Sequence, residues 1–432
     1  MKYIEALKKY NEGKDKWCTP RKGSEDYLKI RKIMKEIASA ASASPKKTES
    51  ASAKKVSSII IASAKKTSSK TKFYKNAIII QRFLKNKLIL TKNNLDTRVK
   101  RYHLIKKQLD KVTETDCLTK KMFGKSKGYT LKGLVNLEKK MGSVSVYGVI
   151  YLSSMPLLSG NYPIASKLME ITEENEFETR LNKWITNNLI ITKKSKHFVM
   201  MYKNTKCPVV ESVANKLIAT ERLVNYNELC DGDLSFLMKT NARNDEMLMI
   251  NMAYQVLIAI ATYQNRVGYC HNDTHHGNFL YQINNDYNEN DTGYYHYIYN
   301  GLNFYIKSCK YNMCIFDFGL SSPTQDVNNT ELAIDYLKIL VGFISKKNGG
   351  LINSAMNKQV SASMMEIMSK MKAIATQFLA NNIDDIFGEI IEELFKVFRT
   401  ETQIFRTTKP TKILNKIPFV INMVSDDPTN WE

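Results

Sequence analysis

The spacing of apolar residues predicts short strands in the middle of the chain, followed by long helices. Three short apolar runs have the length of strands: 144–152, 164–169 and 217–224. The longest apolar stretch, 247–263, contains Asn251 and Gln255 and is too short to span a bilayer, so we expect a buried helix. Amphipathic helices are predicted at 364–371 and 383–398. This order of elements predicts an α+β protein.

The N-terminal part has a different pattern. Ser24 followed by acidic residues is typical of a helix N-terminus, and apolar residues then fall on one face across 24–37. Residues 38–72 consist largely of Ala, Ser and Lys and cannot bury enough apolar surface to offset the entropy of ordering. A flexible basic linker is therefore predicted there. Residues 73–128 are predicted to form a basic helical region before the main domain.

Charge sets the first 72 residues apart. The chain of 432 residues has a net charge of +22, although its 43% hydrophobic and 25% charged residues are ordinary for a folded protein. Residues 1–72 contain 19 Lys and Arg against 7 Asp and Glu, which is more than half of the excess. This segment is either a soluble tail or a docking segment for nucleic acid, an anionic membrane face or an acidic protein.

The spacing of the cysteines and the character of the first residues indicate the cellular compartment. The seven cysteines include no C-x-x-C pair, which favours free thiols in a reducing compartment. The first residues are charged at Lys2 and Glu5 and lack the apolar core of a secretory signal, so we expect a protein that is not secreted and has no transmembrane segment.

Two segments carry the candidate chemistry. Residues 271–278 read His-Asn-Asp-Thr-His-His-Gly-Asn and fit H-x-D-x-x-x-x-N, the catalytic loop of protein kinases. The triplet Asp317-Phe318-Gly319 lies 39 residues beyond Asn278 and follows an apolar strand pattern. Each motif alone is weak, but their order and context are specific. The chain resembles the protein-kinase superfamily, and is similar to kinase-like proteins of large cytoplasmic DNA viruses such as iridoviruses.

The resemblance implies a two-lobed kinase-like fold with a β-rich N-lobe at 129–227, a helical C-lobe at 228–432, and a basic, partly disordered N-terminal extension. It implies ATP and Mg²⁺ as cofactors. Asp273 would orient the attacking hydroxyl and accept its proton. Asn278 and Asp317 would supply oxygen ligands to magnesium, a hard cation. A location in the host-cell cytoplasm or the virion follows from the same resemblance.

The remaining kinase parts are sought upstream of the loop. Lys167, which ends the run Ile-Ala-Ser-Lys, is the candidate for holding the α and β phosphates. Its carboxylate partner is expected on the next helix, where Glu176 is preferred and Glu178 is the alternative.

A glycine-poor phosphate loop is expected at 143–150, where Gly148 and Ile150 are assigned to the nucleotide. The resemblance places a hinge at Glu228 and Cys230, whose backbone would bond adenine.

Three departures from the protein-kinase pattern leave the identity of the phosphate acceptor open. His275 stands where serine/threonine kinases usually have Lys, no A-P-E triplet follows Asp317, and 281–312 is an insertion rich in Tyr and Asn. A serine/threonine protein kinase acting on a basic or serine-rich protein, such as its own 38–72 linker, is the first interpretation. The alternatives are a small-molecule kinase, like those acting on choline or aminoglycosides, and a nucleotide-binding pseudokinase scaffold.

Overall fold

The protein was analysed as a computed structural model that describes these residues: 10–12, 25–26, 28–30, 32–33, 90–113, 115–145, 148–158, 161–213, 216–344, 362–398 and 404–422. The chain divides into two compact units, Met1–Asn76 and Ala77–Glu432.

In the first unit, the helix predicted at 24–37 is confirmed at the positions described within it, 25–26, 28–30 and 32–33. Lys29 there pairs with Glu25 and Asp26 one turn away, at 3.5 and 3.2 Å. The predicted linker, 38–72, lies outside the described residues, as does the start of the basic region that follows it.

The second unit contains a helix, α1, followed by a closed barrel. Helix α1 is Leu95–Leu109, capped by the Asn94 side chain, which accepts a hydrogen bond from the Thr97 amide. Seven strands close the barrel in the order β1-β2-β3-β4-β5-β7-β6. Their bounds are β1 Leu118–Phe123, β2 Ser126–Leu131, β3 Val135–Ser145, β4 Gly148–Met155, β5 Tyr162–Met169, β6 Met201–Val213 and β7 Lys216–Asn227.

The barrel corrects one predicted boundary. The strands start at Leu118, so the division between 128 and 129 cuts through β2, and the residues before it are not all helical. The reason lies in β1, where only Leu118 is buried and the lysines that follow hide the alternation of a half-buried strand. The runs predicted at 164–169 and 217–224 are confirmed by β5 and β7, whereas the run at 144–152 is a hairpin of β3 and β4.

Helix α2, Glu173–Ile185, follows β5 and continues as a π-helical turn at Thr186–Ile191. Thr172 caps it by accepting a hydrogen bond from the Asn175 amide. Leu181 and Ile185 of this helix are fully buried, so one face packs into the same core as the barrel interior.

The buried helix predicted at 247–263 is confirmed as α4, Glu246–Thr262, which continues as a π-helical turn to Val267. Among the described helices, Glu246–Val267 alone has the length and apolar composition of a membrane span, but 83% of that window is buried inside the protein. A core helix of a folded domain has the same properties, so no clear transmembrane segment is present among these residues.

Short strands beside α4 frame the two motif segments. The strand β8 at Gly232–Asp233 leads into α3, Leu234–Leu237. A sheet of order β13-β10-β8 and a pair β14-β9 hold the motifs. Their further bounds are β9 Tyr269–Cys270, β10 Phe279–Ile283, β13 Tyr311–Ile315 and β14 Ser322–Pro323.

The insertion at 281–312 is structured. It contains the hairpin of β11, Tyr294–Tyr299, and β12, Leu302–Lys307, which joins the C-terminal strands β15, Phe405–Arg406, and β16, Phe419–Val420, in one sheet. The described part of the unit also contains three later helices: α5 Asn329–Ile344, α6 Ala362–Leu379 and α7 Ile386–Phe398. The result is a mixed α/β protein with several sheets, in which the helices predicted at 364–371 and 383–398 are present as α6 and α7.

Candidate functional site

Lys167 pairs with two carboxylates that are far apart in the sequence. Its Nζ lies 2.8 Å from both carboxylate oxygens of Glu178 on α2, and 2.8 Å from Oδ1 of Asp317. The Lys167 and Glu178 side chains are buried, while that of Asp317 is 33% exposed. Burial alone would lower the pKa of Lys167, but the carboxylates of Glu178 and Asp317 outweigh it and raise that pKa. Lys167 is therefore held as a cation beside one accessible carboxylate.

The prediction that Glu176 is the partner of Lys167 is wrong. Glu176 lies on the outer side of α2 and pairs with Lys206 at 2.5 Å, whereas the alternative, Glu178, makes the contact with Lys167. Two residues along a helix lie about 200° apart around its axis, so only one of the two can face the barrel.

The Asp317-Phe318-Gly319 triplet has a specific local conformation. Asp317 has φ +67°, in the left-handed region that residues other than glycine seldom adopt. Phe318 is fully buried and stacks on Tyr263 with ring centroids 5.0 Å apart, with His271 at 5.3 Å. The buried phenyl ring anchors the turn, so the neighbouring Asp317 carboxylate is directed towards Lys167.

A buried carboxylate on α5 fixes the loop at 271–278. Oδ2 of Asp335 accepts the His271 amide at 2.7 Å, and Oδ1 accepts the Asn272 amide at 2.9 Å. The Thr274 hydroxyl donates to the Asp335 carbonyl at 2.9 Å. Asp335 is fully buried, and burial raises its pKa. His271 is also buried and contacts the Phe316 carbonyl at 3.0 Å, as expected for a structural residue.

The predicted catalytic and metal residues of the loop are in contact. The Asn278 Nδ2 donates to the Asp273 carbonyl at 3.0 Å and to its Oδ2 at 3.1 Å. His275 Nε2 lies 3.3 Å from the same Oδ2. The hydrogen bond from His275 lowers the pKa of Asp273 and, reciprocally, raises that of His275. Asp273 is thus an ionised, partly exposed carboxylate near neutral pH.

The two segments are tied directly to each other. The Phe316 amide donates to the Asn278 carbonyl at 3.1 Å, so the residue before Asp317 is fixed to the last residue of the loop. Asp273, Asn278, Asp317 and Lys167 are brought together by this bond and by the Lys167–Asp317 contact, as the spacing of the motifs predicts.

An apolar cluster lies next to these polar groups. Val199, Cys314 and Phe316 form a small buried cluster, and the partly buried Ile150, Cys230 and Leu280 pack against it. Ile150 belongs to the barrel strand β4, while Leu280 belongs to β10 of the other sheet. Apolar side chains contributed by two different sheets are the kind of lining that suits a planar, weakly polar ring system.

The predicted phosphate loop falls at the turn between β3 and β4, where residues 146 and 147 lie outside the described part of the chain. Gly148 has φ +137°, and a Cβ there would lie 2.6 Å from Met169 Cγ and 2.8 Å from the Leu168 carbonyl oxygen. Only glycine fits this position without displacing β5.

The backbone of Glu228 was expected to bond adenine in the hinge, but its side chain has a structural role instead. The backbone amide of Glu228 donates to the Met200 carbonyl at 2.8 Å, so this N–H does not point to a ligand. Its fully buried carboxylate is held by Arg98 at 2.7 Å and by Arg101, both on α1. Burial would raise the pKa of Glu228, but the two guanidinium groups lower it to about 2. Cys230 remains half-buried at the apolar cluster.

The two motif segments contain oxygen donors of the kind that magnesium prefers. Among the described residues, no group of three or more His, Cys, Asp or Glu side chains is arranged to hold a metal ion. Asp317 and Asn278 would be the donors to such an ion, and the Asn278 Oδ1 stays available because Nδ2 makes both hydrogen bonds to Asp273. Magnesium bound through one or two protein oxygens together with substrate phosphates needs no larger cluster.

Three residues of this site were missed by the sequence interpretation. Asp335 lies among the buried residues Ala333, Tyr336 and Ile339 of α5, and a lone carboxylate on an apolar face is a signal that could have identified it. Arg98 and Arg101 are about 130 residues from Glu228 in sequence, and nothing in their local pattern separates them from the other cations of α1.

No protein-family model matches the chain, and no curated protein matches it. The assignment of function therefore depends on the geometry of the site.

Proposed function

We propose that the protein is an ATP-dependent phosphotransferase with a two-lobed, kinase-like arrangement, which transfers the γ-phosphate of Mg-ATP to a hydroxyl group. The observation that carries the proposal is the bridge from Lys167 to Glu178 and Asp317. A buried lysine held beside an accessible carboxylate is suited to phosphates and their metal ion, because phosphoryl transfer depends on positioning and charge neutralisation.

Each residue then has a stated task. Lys167 binds the α and β phosphates, and Glu178 keeps its ammonium group in place. The apolar cluster with Ile150 and Cys230 receives adenine, and Gly148 allows the β3–β4 turn to approach the phosphates. Asp317 and Asn278 would hold Mg²⁺, which neutralises charge on the phosphates when bound.

Asp273 acts on the acceptor. Its carboxylate is ionised and 33% exposed, so it can receive a hydrogen bond from an acceptor hydroxyl and take its proton during transfer. Asn278 and His275 hold that carboxylate in one orientation through its Oδ2.

A protein serine or threonine remains the first acceptor, and a small alcohol is the second. One observation favours the second: α5 begins at Asn329, and only nine residues separate it from Gly319. A segment of that length offers little platform for an extended peptide.

The test is transfer of label from γ-labelled Mg-ATP to a panel of basic proteins, serine-rich peptides and small alcohols. We expect labelled product with the wild-type protein and none with Asp317→Asn. Label on a protein supports the first acceptor, and label on a small alcohol supports the second. Nucleotide binding without any labelled product would contradict the proposal and support a scaffold.

A further inference from the structure

Residues 119–128 form a two-stranded ribbon that extends beyond the barrel. In the strand ladders, β1 meets β6 only at Leu118, and β2 meets β3 only over residues 129–131. The outermost residues of β1 and β2 therefore pair with each other alone, from Lys121 with Gly128 to Phe123 with Ser126.

The ribbon is basic and has lysines on both of its faces. From residue 117 to residue 131 the sequence contains no Asp or Glu. Four exposed lysines lie on the ribbon: Lys120, Lys121, Lys125 and Lys127. Because successive side chains of a strand point to opposite faces, Lys120 and Lys121 lie on different sides. Met122, opposite Lys127 near the tip, is 57% exposed.

A groove beside the ribbon extends the basic surface. A cavity of 450 Å³ is bounded by three of the ribbon lysines, Lys120, Lys121 and Lys127, together with Tyr129, Lys140 and Tyr151. Gly128 makes this approach to β3 feasible, because a Cβ there would lie 2.0 Å from the Leu137 carbonyl oxygen. Lys121, Lys125, Lys127 and Lys140 make no ion pair with any residue in the described part of the chain.

We propose that the β1–β2 ribbon and its groove bind the phosphate backbone of double-stranded nucleic acid. A ribbon with cations on both faces suits a duplex groove, which has a row of phosphates on each wall. The major groove is wide enough for a two-stranded ribbon and about 8.5 Å deep, and six residues of strand reach about 20 Å. A flat surface or a single strand would engage one face of the ribbon only.

The ribbon is a different part of the sequence from the basic segment 1–72, and it supplies none of the residues assigned to the proposed nucleotide site. None of the ribbon lysines takes part in the contacts of Lys167, Asp273 or Asp317. Loss of duplex binding should therefore leave ATP turnover in place, which distinguishes failure of this inference from failure of the proposed function.

The test is fluorescence anisotropy of a labelled 20-base-pair duplex with the full-length protein over a range of salt concentrations. In the ribbon variant, all four lysines are replaced (K120Q, K121Q, K125Q and K127Q). A control variant removes the same charge from exposed lysines elsewhere (K183Q, K310Q, K372Q and K409Q). Each lost phosphate contact changes the slope of log affinity against log salt by about 0.9. We expect the ribbon variant to bind at least about tenfold more weakly with a slope shallower by about 3 to 4, and the control to match the wild type.

Three results would overturn the inference. The first is equal binding by the ribbon variant and the wild type, and the second is an equal loss in the control variant. The third is tighter ribbon-dependent binding to a single strand of the same sequence, or to phosphatidylserine vesicles, than to the duplex. Circular dichroism on both variants establishes that the fold is retained.

Discussion

The ammonium group of Lys167 lies 2.8 Å from the carboxylate of Glu178, and both side chains are buried. The pair connects β5 to α2, and the same ammonium reaches Asp317, the first residue of the Asp317-Phe318-Gly319 motif. This contact is the link between the barrel and the segments that carry the candidate chemistry.

The first prediction distinguishes the two glutamates of α2. Glu178→Gln should lower ATP turnover by about 10²-fold, because an amide cannot hold Lys167 as an ionised carboxylate does. Glu176→Gln is the matched control, since its carboxylate pairs with Lys206 on the outer side of the helix. Steady-state turnover of both variants checks this, and an equal loss in both would contradict the assignment.

A second prediction concerns the buried group of Arg98, Arg101 and Glu228. Arg101→Met should lower the free energy of unfolding in urea by about 3–5 kcal/mol, because it leaves a buried carboxylate with half of its compensation. In the control, Arg222→Met breaks a pair with Glu170 whose side chains are 30% and 72% exposed, and should cost about 0–1 kcal/mol. Similar losses of unfolding free energy in Arg101→Met and Arg222→Met would show that burial of the Glu228 ion pairs does not add to their contribution.

The same group predicts a pH dependence of stability. The pKa of Glu228 is lowered from 4.5 to about 2, so its contribution is present above pH 4.5 and is lost as the pH falls towards 2. Glu228→Gln should be less stable at pH 7, and its stability should change less between pH 4.5 and 2. Thermal unfolding across that range measures both effects, and parallel curves for variant and wild type would refute the assignment.

A further prediction concerns Asp335, whose carboxylate accepts the amides of His271 and Asn272 in the loop at 271–278. Asp335→Asn replaces one acceptor oxygen with a donor that faces a backbone amide, so stability should fall by about 1–3 kcal/mol and turnover should fall with it. Asp326→Asn changes the same group in the exposed 3-10 turn before α5 and should have little effect. Urea unfolding and turnover are measured on both variants, and a fully active Asp335→Asn protein would contradict a role in fixing the loop.

His275 gives a test in the neutral range. Its pKa is raised by the hydrogen bond to Asp273, so the imidazolium persists to higher pH than in a free histidine and is lost as the pH rises through the raised value. If that cation assists phosphate binding, kcat/KM should fall over this rise in pH, and His275→Gln should remove the fall. A His275→Gln profile that keeps the same alkaline limb would exclude the histidine as its source.

Much of the site could be predicted because its motifs are local. The spacing of Asp273, Asn278 and Asp317, and the strand before Lys167, are all read within short windows, and the structure brings these four residues together. The strands β1 and β2 were missed because their lysines face solvent on both sides, which removes the apolar alternation.

The error between Glu176 and Glu178 has a geometric cause. Glu178 lies three and seven residues before Leu181 and Ile185, the buried apolar positions of α2, and so shares their face. Sequence spacing from Lys167 does not reveal this register, but the helical period does. The contact between α1 and Glu228 has no such local signal, because it joins two segments 130 residues apart.

The most direct test of the central claim measures ATP binding and Mg-dependent phosphate transfer side by side for the wild-type protein and Asp273→Asn. Asparagine keeps the shape of the side chain but cannot accept the hydroxyl proton. We predict unchanged ATP affinity and a turnover lower by about 10²–10⁴-fold. Unchanged turnover in Asp273→Asn would contradict the proposed phosphotransferase mechanism.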